Sequence, residues 1–544
     1  MSPVAAIQRT VKVAGSALDA ATDGALESVL VVDRQAMPDT FTLTFRDTNR
    51  DILGTAGIEI GAGIEISTTS TRSDAPAILI DGEVTSIEAD YDTLGSRAIV
   101  RGYDKSHRLA AGRRTATYQN VSYSEVARTI GQGAGLQVDA DDSGASIDHV
   151  IQANQSDLEF LYGLARRIGF DCRVEAGTLL FKRPVESSTA PDVEPLEWGM
   201  NLVEFRARMT AVAQVTEVKV RGWDPVAKEA VIGQADAVAQ NAQVSMTAAD
   251  LAQKVGGQTM TVVDHPVDTQ EAADELAAAR AAQVARAAFE ATAVAVGTPD
   301  LKAGTTVEVK GVDPALEGTW VISGSRHEFG HGAYRTFLEF TGRQDRSISG
   351  LVSQGSSARE RYFGVVIGLV TDNNDPDQRA RVRVKYPWLA DDAESYWARL
   401  MAPGAGNEYG VTWMPQVGDE VLVAFEHGDI SHPIVMGGLW NGADVVPFDY
   451  GDLDAGKVTY CGFTSRTGHK VSFWESTTGS SIQLLTANGE VNILLDDKNR
   501  ELKIESTGKV IVDAQGDVEI KAGGSLKLEA SGQVTVKGAT VALN

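Results

Sequence analysis

Few side chains in this sequence stand at spacings that support chemistry. Glu426-His427 and His432 form one of the two close histidine pairs. A metal site needs three or four convergent donors, and these residues fall on a Gly-Asp loop between strands, so they read as a surface turn. His327 and His331 flank Gly330 and read the same way. Asp372, Asp375 and Asp377 sit in a Thr-Asp-Asn-Asn-Asp-Pro-Asp run that lacks the central glycine and terminal glutamate of a calcium loop, which leaves a solvated acidic turn. Gly131-Gln-Gly-Ala-Gly135 lacks the strand-to-helix context of a phosphate loop. No Ser/His/Asp or Cys/His set stands in a recognisable motif. Cys172 and Cys461 lie too far apart in sequence to read as a disulfide framework, and are expected to be reduced or buried thiols. These residues predict no catalytic site, no metal and no cofactor, hence a protein that is not an enzyme.

The pattern that stands out is mechanical. Gly508, Gly516, Gly524 and Gly532 recur every eight residues. Apolar residues follow each glycine at the second and fourth places: Val510/Val512, Val518/Ile520, Leu526/Leu528 and Val534/Val536. Leu502/Ile504 extends the pattern upstream, with Arg500 where glycine would stand, and looser pairs occur at Val471/Phe473, Ile482/Leu484 and Val491/Ile493. Period two within a block is a strand with one apolar face. Period eight between blocks is a strand plus a short turn, for which glycine supplies backbone freedom. A single-chain solenoid would have too few turns to stack, and a lone meander would expose the apolar row. Three chains about one axis, each supplying one wall, bury it. The ten paired residues from Leu502 to Val536 are therefore the expected axis, and the four glycines the octad turns.

Stepping upstream, residues 1–120 read as strands with turns, for example at 28–32, 41–45, 78–80 and 98–100. Two helices carry capping boxes: Ser122-Tyr-Ser-Glu125, expected to stop at Gly131, and Ser156-Asp-Leu-Glu159, expected to stop at a left-handed Gly169. A third, Ala-rich helix is expected over about 269–290, opened by Asp268 and Glu271. Strands return over 305–342, a Ser/Gly linker occupies 347–358, and short alternating strands at 359–445 suggest a Greek-key barrel of the OB type. The formal net charge of −25 and pI near 4.8 argue against nucleic acid as a partner. The last 89 residues are neutral, with ten basic and ten acidic side chains. The N-terminus shows no secretory signal and no apolar run is long enough for a membrane span, which predicts synthesis in the cytoplasm.

At this point the sequence resembles a known family. The octads are similar to the triple-stranded β-helix of phage central spikes and VgrG proteins. The run Val417-Gly-Asp-Glu-Val-Leu-Val-Ala-Phe-Glu-His-Gly-Asp429, then Pro433-Ile-Val-Met-Gly-Gly-Leu-Trp-Asn-Gly442, resembles their OB domain, and Thr464-Ser-Arg-Thr-Gly-His-Lys-Val-Ser-Phe473 resembles the start of their needle. The first 346 residues resemble the late-control protein D region, through Arg101-Gly-Tyr-Asp-Lys-Ser-His-Arg-Leu109, Ser156-Asp-Leu-Glu-Phe-Leu161 and Gly318-Thr-Trp-Val-Ile322.

The resemblance implies a mainly β chain with four parts. They are a base of two β-barrel domains at 1–346 with helical insertions near 122–170 and 268–290, a linker at 347–358, an OB domain at 359–445, and an intertwined trimeric needle at 456–544. It further implies a homotrimer that adapts a hexameric inner tube and baseplate or hub proteins to a three-fold needle and pierces a target envelope. A PAAR-repeat tip protein would cap the C-terminal end, possible effector cargo would travel with the spike, and the whole would assemble into a phage tail-like injection particle. The end at Val541-Ala-Leu-Asn544 suits a blunt tip, and the short segment 444–457 leaves no room for a lysozyme domain before the needle. The motifs leave open a type VI system, a phage tail or an extracellular particle. The rival readings are a trimeric tail-associated adhesin and a cell-wall-degrading tail enzyme.

Overall fold

The alternating apolar residues of the N-terminal third form long antiparallel strands, as period-two patterning requires. The computed structural model describes residues 9–542 apart from 36, 71–72, 94, 145, 192, 240, 331–332, 341–360, 449–452 and 455. The linker expected at 347–358 and His331 lie outside the described residues. The chain divides into two units, residues 1–439 and 440–544.

The first unit is organised by an eleven-stranded sheet. In spatial order it runs Leu202–Met209, Phe289–Val296, Ala333–Phe340, Gly324–Gly330, Leu26–Arg34, Thr40–Arg46, Gly95–Asp104, Ser73–Asp92, Gly63–Ser70, Arg9–Val13 and Ser16–Ala17. Two apolar cores share this sheet. Val29, Val31, Phe41, Leu43, Phe45, Ile64 and Val100 fill one. Phe289, Trp320, Leu338 and Phe340 fill the other, with Phe205 packed against them. His327 belongs to the sheet. It is buried in Gly324–Gly330, with Ser325 Oγ 3.1 Å from Nε2 and the Tyr334 hydroxyl 2.8 Å from Nδ1. The turn reading of this histidine is therefore corrected. Its strand alternation places it inward, and burial pushes its pKa down to about 3.

Helices interrupt the strands where capping boxes occur. Ser122 and Glu125 cap Tyr123–Gly133, and Ser156 and Glu159 cap Asp157–Ile168, which ends on Gly169 at φ 74°. The first helix runs through Gly131 instead of stopping there. A Cβ at Gly131 would stand 2.6 Å from Val138 Cγ2 and 2.8 Å from Leu179 Cδ2, so the glycine serves helix-on-sheet contact and not termination. The Ala-rich helix spans Gln270–Arg286, and its cap is Thr269, whose side chain accepts from the Ala272 N–H. The expected extension to Glu290 is instead strand Phe289–Val296, because Phe289, Ala291, Ala293 and Ala295 alternate into the core. A further helix, Ala248–Lys254, carries its own capping box of Thr247 and Asp250.

The OB part is a five-stranded sheet ordered Arg383–Lys385, Val365–Asp372, Glu420–Phe425, Pro433–Gly438 and Arg399–Leu400. Val370, Val382, Val384, Tyr386, Val421, Val423 and Val435 fill its core, joined by Ile151 from strand Ile147–Gln155. The second unit, taken by itself, is a five-stranded antiparallel meander over Tyr460–Ser506 followed by the octads. Among the described residues, no helix is long and apolar enough to cross a membrane.

Candidate functional site: an apolar strip in the C-terminal unit

Register turns the looser pairs into continuous rows. Cys461 faces Phe473, Phe473 faces Ile482, Ile482 faces Leu495, and Leu495 faces Leu502. One step of two along each strand, Phe463, Val471, Leu484, Ile493 and Ile504 form a parallel row. Directly paired residues share a sheet face, so one face of the meander is apolar across all five strands. The opposite face is mixed, with Ser472, Gln483, Asn492, Glu501, Lys503 and Glu505 beside Tyr460, Trp474, Leu485 and Leu494. Cys461, Phe463 and Leu495 belong to the strip and escape a search confined to apolar pairs; their signal is the cross-strand register.

Leu502 and Ile504 hand the two rows on to the octads. The backbone bends at 507–508, 515–516, 523–524 and 531–532, once per octad glycine, and the intervening segments take up no strand pairing within the chain. Leu502, Ile504, Val510, Val512, Val518, Ile520, Leu526, Leu528, Val534 and Val536 are each 56–78% exposed in one copy. None of Gly508, Gly516, Gly524 and Gly532 adopts a left-handed φ, and a Cβ at Gly516, Gly524 or Gly532 would meet nothing within 4 Å. The backbone freedom invoked for these turns is used elsewhere: Arg500, standing where glycine would be expected, has φ 53° in its hairpin turn. Nothing inside a single copy demands glycine at the octad bends.

The residues that suggested metal chemistry serve structural ends. Asp375 is buried and not solvated. Its carboxylate accepts from the backbone N–H of Arg379 at 2.7 Å and from the Arg381 guanidinium at 2.7 and 3.0 Å. Arg381, with these backbone donors, holds the carboxyl well below the usual range. Arg381 also reaches Asp377 at 2.7 Å, and Asp372 accepts from the Asn374 N–H, so the acidic turn is a self-bonded knot closing the OB strands.

In the 426–432 loop His427 has φ 50°. Asp429, beside it, pairs with Arg167 of the helix Asp157–Ile168 at 3.0 Å and with His432 Nδ1 at 3.6 Å. Burial raises the Asp429 pKa, but His432 and Arg167 outweigh it and leave the group ionised. The loop thus ties the OB part to the base. His149 does the same, its Nε2 lying 3.1 Å from the Glu394 carbonyl oxygen. Cys172 is buried and its thiol is pushed up to about 12, whereas Cys461 is exposed on the apolar strip. Among the described residues no group of three or more His, Cys, Asp or Glu side chains is placed to hold a metal ion.

Residues 366–440 match the type VI secretion system/phage-baseplate injector OB domain. The chain is 28% identical over 130 residues to the type VI secretion system spike protein VgrG3 of Vibrio cholerae, covering 23% of this chain and 13% of that protein. It is 39% identical over 89 residues to the spike protein VgrG4b of Pseudomonas aeruginosa, covering 16% and 11%. The chain thus matches little more than a tenth of the length of these curated relatives. Among solved structures, the half-lidded Francisella PdpA–VgrG complex has the same fold, with a TM-score of 0.54 at 8% identity over 93% of this chain and 89% of that one. Residues 55–331, just over half of the chain, match the Alg8 N-terminal domain. The chain therefore belongs to the Alg8 N-terminal domain family, with the mainly β fold of VgrG spike proteins and an injector OB domain behind that region.

Proposed function

We propose that this chain is the spike of a contractile injection machine, a mechanical part without turnover that acts as a homotrimer. The observation that carries the reading is the apolar strip. Ten aliphatic side chains in two rows stand open in one copy, eight of them on segments whose backbone makes no ladder in-chain. Exposed apolar rows of this length are costly in water, and each buried aliphatic returns roughly 1.5–3 kcal/mol. Three copies about one axis bury the strip and pair the free backbone at once. Glycines with no local need for glycine fit the same picture, since crowding at their bends would come from neighbouring copies. In this role the first unit meets the inner tube and baseplate or hub proteins. The octads transmit force to the target envelope, and the C-terminal end receives a PAAR-type tip protein, with effector cargo carried alongside. The domain divisions at 346, 358 and 445 belong to the same proposal, as does assembly from the cytoplasm into the particle.

Sedimentation of the full chain tests it. The expected mass is three times the monomer, and the trimer should resist hot detergent. Leu526→Asp places three carboxylates against the axis, and the resistant trimer is expected to disappear. A monomeric wild type, or a Leu526→Asp trimer as resistant as the parent, would refute the reading.

A further inference from the structure

The outward face of the octads carries charge, and the order of its signs is informative. By strand alternation, the odd positions from 501 to 537 outside the bends fall on the face opposite the apolar rows. Lys503 and Glu505 pair at 2.6 Å, Lys521 and Glu519 at 2.6 Å, and Lys527 pairs with Glu529. Lys521 and Lys527 are about four-fifths exposed, with 81% and 80% of the side chain in solvent. Pairs this exposed contribute little within one chain. Their value depends on what stands above and below them.

From this sign order, and resting on the three-chain reading, we infer that these charges form a ladder between copies that fixes their axial register at one octad. Three identical chains about one axis are related by 120° rotations. A wall built from one chain would need a ladder within that chain, and residues 509–542 take up none, so successive octads of a chain pass to successive walls and each wall stacks octad n of one copy against octad n+1 of its neighbour. At that offset Glu501 meets Lys509, Lys509 meets Asp517, Asp513 meets Lys521, Lys521 meets Glu529, Glu529 meets Lys537, and Glu519 meets Lys527. Six contacts join opposite charges, against one like pair, Glu505 with Asp513. At zero offset every charge faces its own copy. At two octads, Glu501/Asp517, Asp513/Glu529 and Lys521/Lys537 become like pairs, and only two opposite pairs remain. The apolar rows cannot make this choice, because every octad offers the same two aliphatics and a slip of eight residues leaves the axis equally filled. Opposite charges across neighbouring strands stabilise and like charges destabilise, so the outer face selects what the inner face leaves degenerate.

The full-length protein tests this with two variants of unchanged net charge. E519K/K521E swaps the charges within one octad. It keeps the in-strand pair but turns the contacts to Asp513, Lys527 and Glu529 into like pairs. At low salt the thermal midpoint of the trimer is expected to fall by about 3–10 °C, with the gap closing in high salt as exposed charges are screened. Adding D513K, K527E, E529K and K537E inverts the charges from 513 to 537 except Asp517, makes the contacts at the one-octad offset opposite in sign again, and is expected to restore the midpoint. A trimeric wild type with an unshifted E519K/K521E variant, or a six-fold variant that melts as low as the swap, overturns the ladder alone. A monomeric wild type in sedimentation overturns the three-chain reading and the ladder with it.

Discussion

Asp375 and His327 are single side chains that each stabilise a strand junction through a fixed protonation state. Asp375→Asn removes the charge that neutralises Arg381, leaving Asp377 as a partial substitute. The expected cost is about 2–3 kcal/mol, read as a lowered urea midpoint of the first unit's transition. His327 gives a pH signature. Its folded pKa, pushed down to about 3 by burial, lies below the value of about 6.5 for an unfolded chain. The unfolded chain therefore binds the extra proton first, and stability falls as pH drops from about 6.5 toward 3. His327→Gln should flatten that slope in urea titrations between pH 6.5 and 4. The Asp375 contribution, also lost with acid, begins only below about pH 4, where an unfolded carboxylate protonates. These roles are hard to read from sequence for a definite reason. An Asp-Asn-Pro loop has the same composition whether its carboxylate points to water or inward, and its partner Arg381 becomes adjacent only when the turn closes. The helix caps at Ser122 and Ser156 are legible because donor and acceptor lie three residues apart.

At the scale of elements, close approach decides the packing. Helix Gln270–Arg286 lies against the sheet of Glu217–Asp224 and Glu229–Asp236, where a Cβ at Gly233 would stand 2.1 Å from the Ala273 carbonyl oxygen. The obstacle is backbone, which cannot rotate aside. Gly233→Ala is expected to cost about 1–3 kcal/mol, seen as a lower thermal midpoint in calorimetry. Such glycines are invisible to patterning, since a glycine in a strand and one in a turn look alike; Gly131 shows the same ambiguity inside a helix. Alternation and eight-residue spacing are legible because each repeats, and the paired residues of the octads are read from them one by one. What sequence spacing cannot supply is cross-strand register, and that is why Cys461 and Phe463 join the strip only once the meander is seen.

For the whole molecule, the proposal makes the octads indispensable to association. Removing residues 507–544 deletes eight of the ten axis residues while leaving the meander and the first unit intact in sequence. The shortened chain is expected to lose the detergent-resistant trimer. Its circular dichroism should keep the strand signal of the first unit, and a resistant trimer from it would place the holding contacts elsewhere.

The octad segments that find no ladder within one copy also bear on how the particle is made. Residues 509–542 take up no strand pairing in one copy, so under the three-chain proposal the chain has no finished state alone and maturation waits on encounter with its siblings. That makes yield depend steeply on how many nascent chains are present together. Once closed, no member can leave without releasing the others' backbone, so mixing two labelled, fully assembled populations should give no exchange over hours.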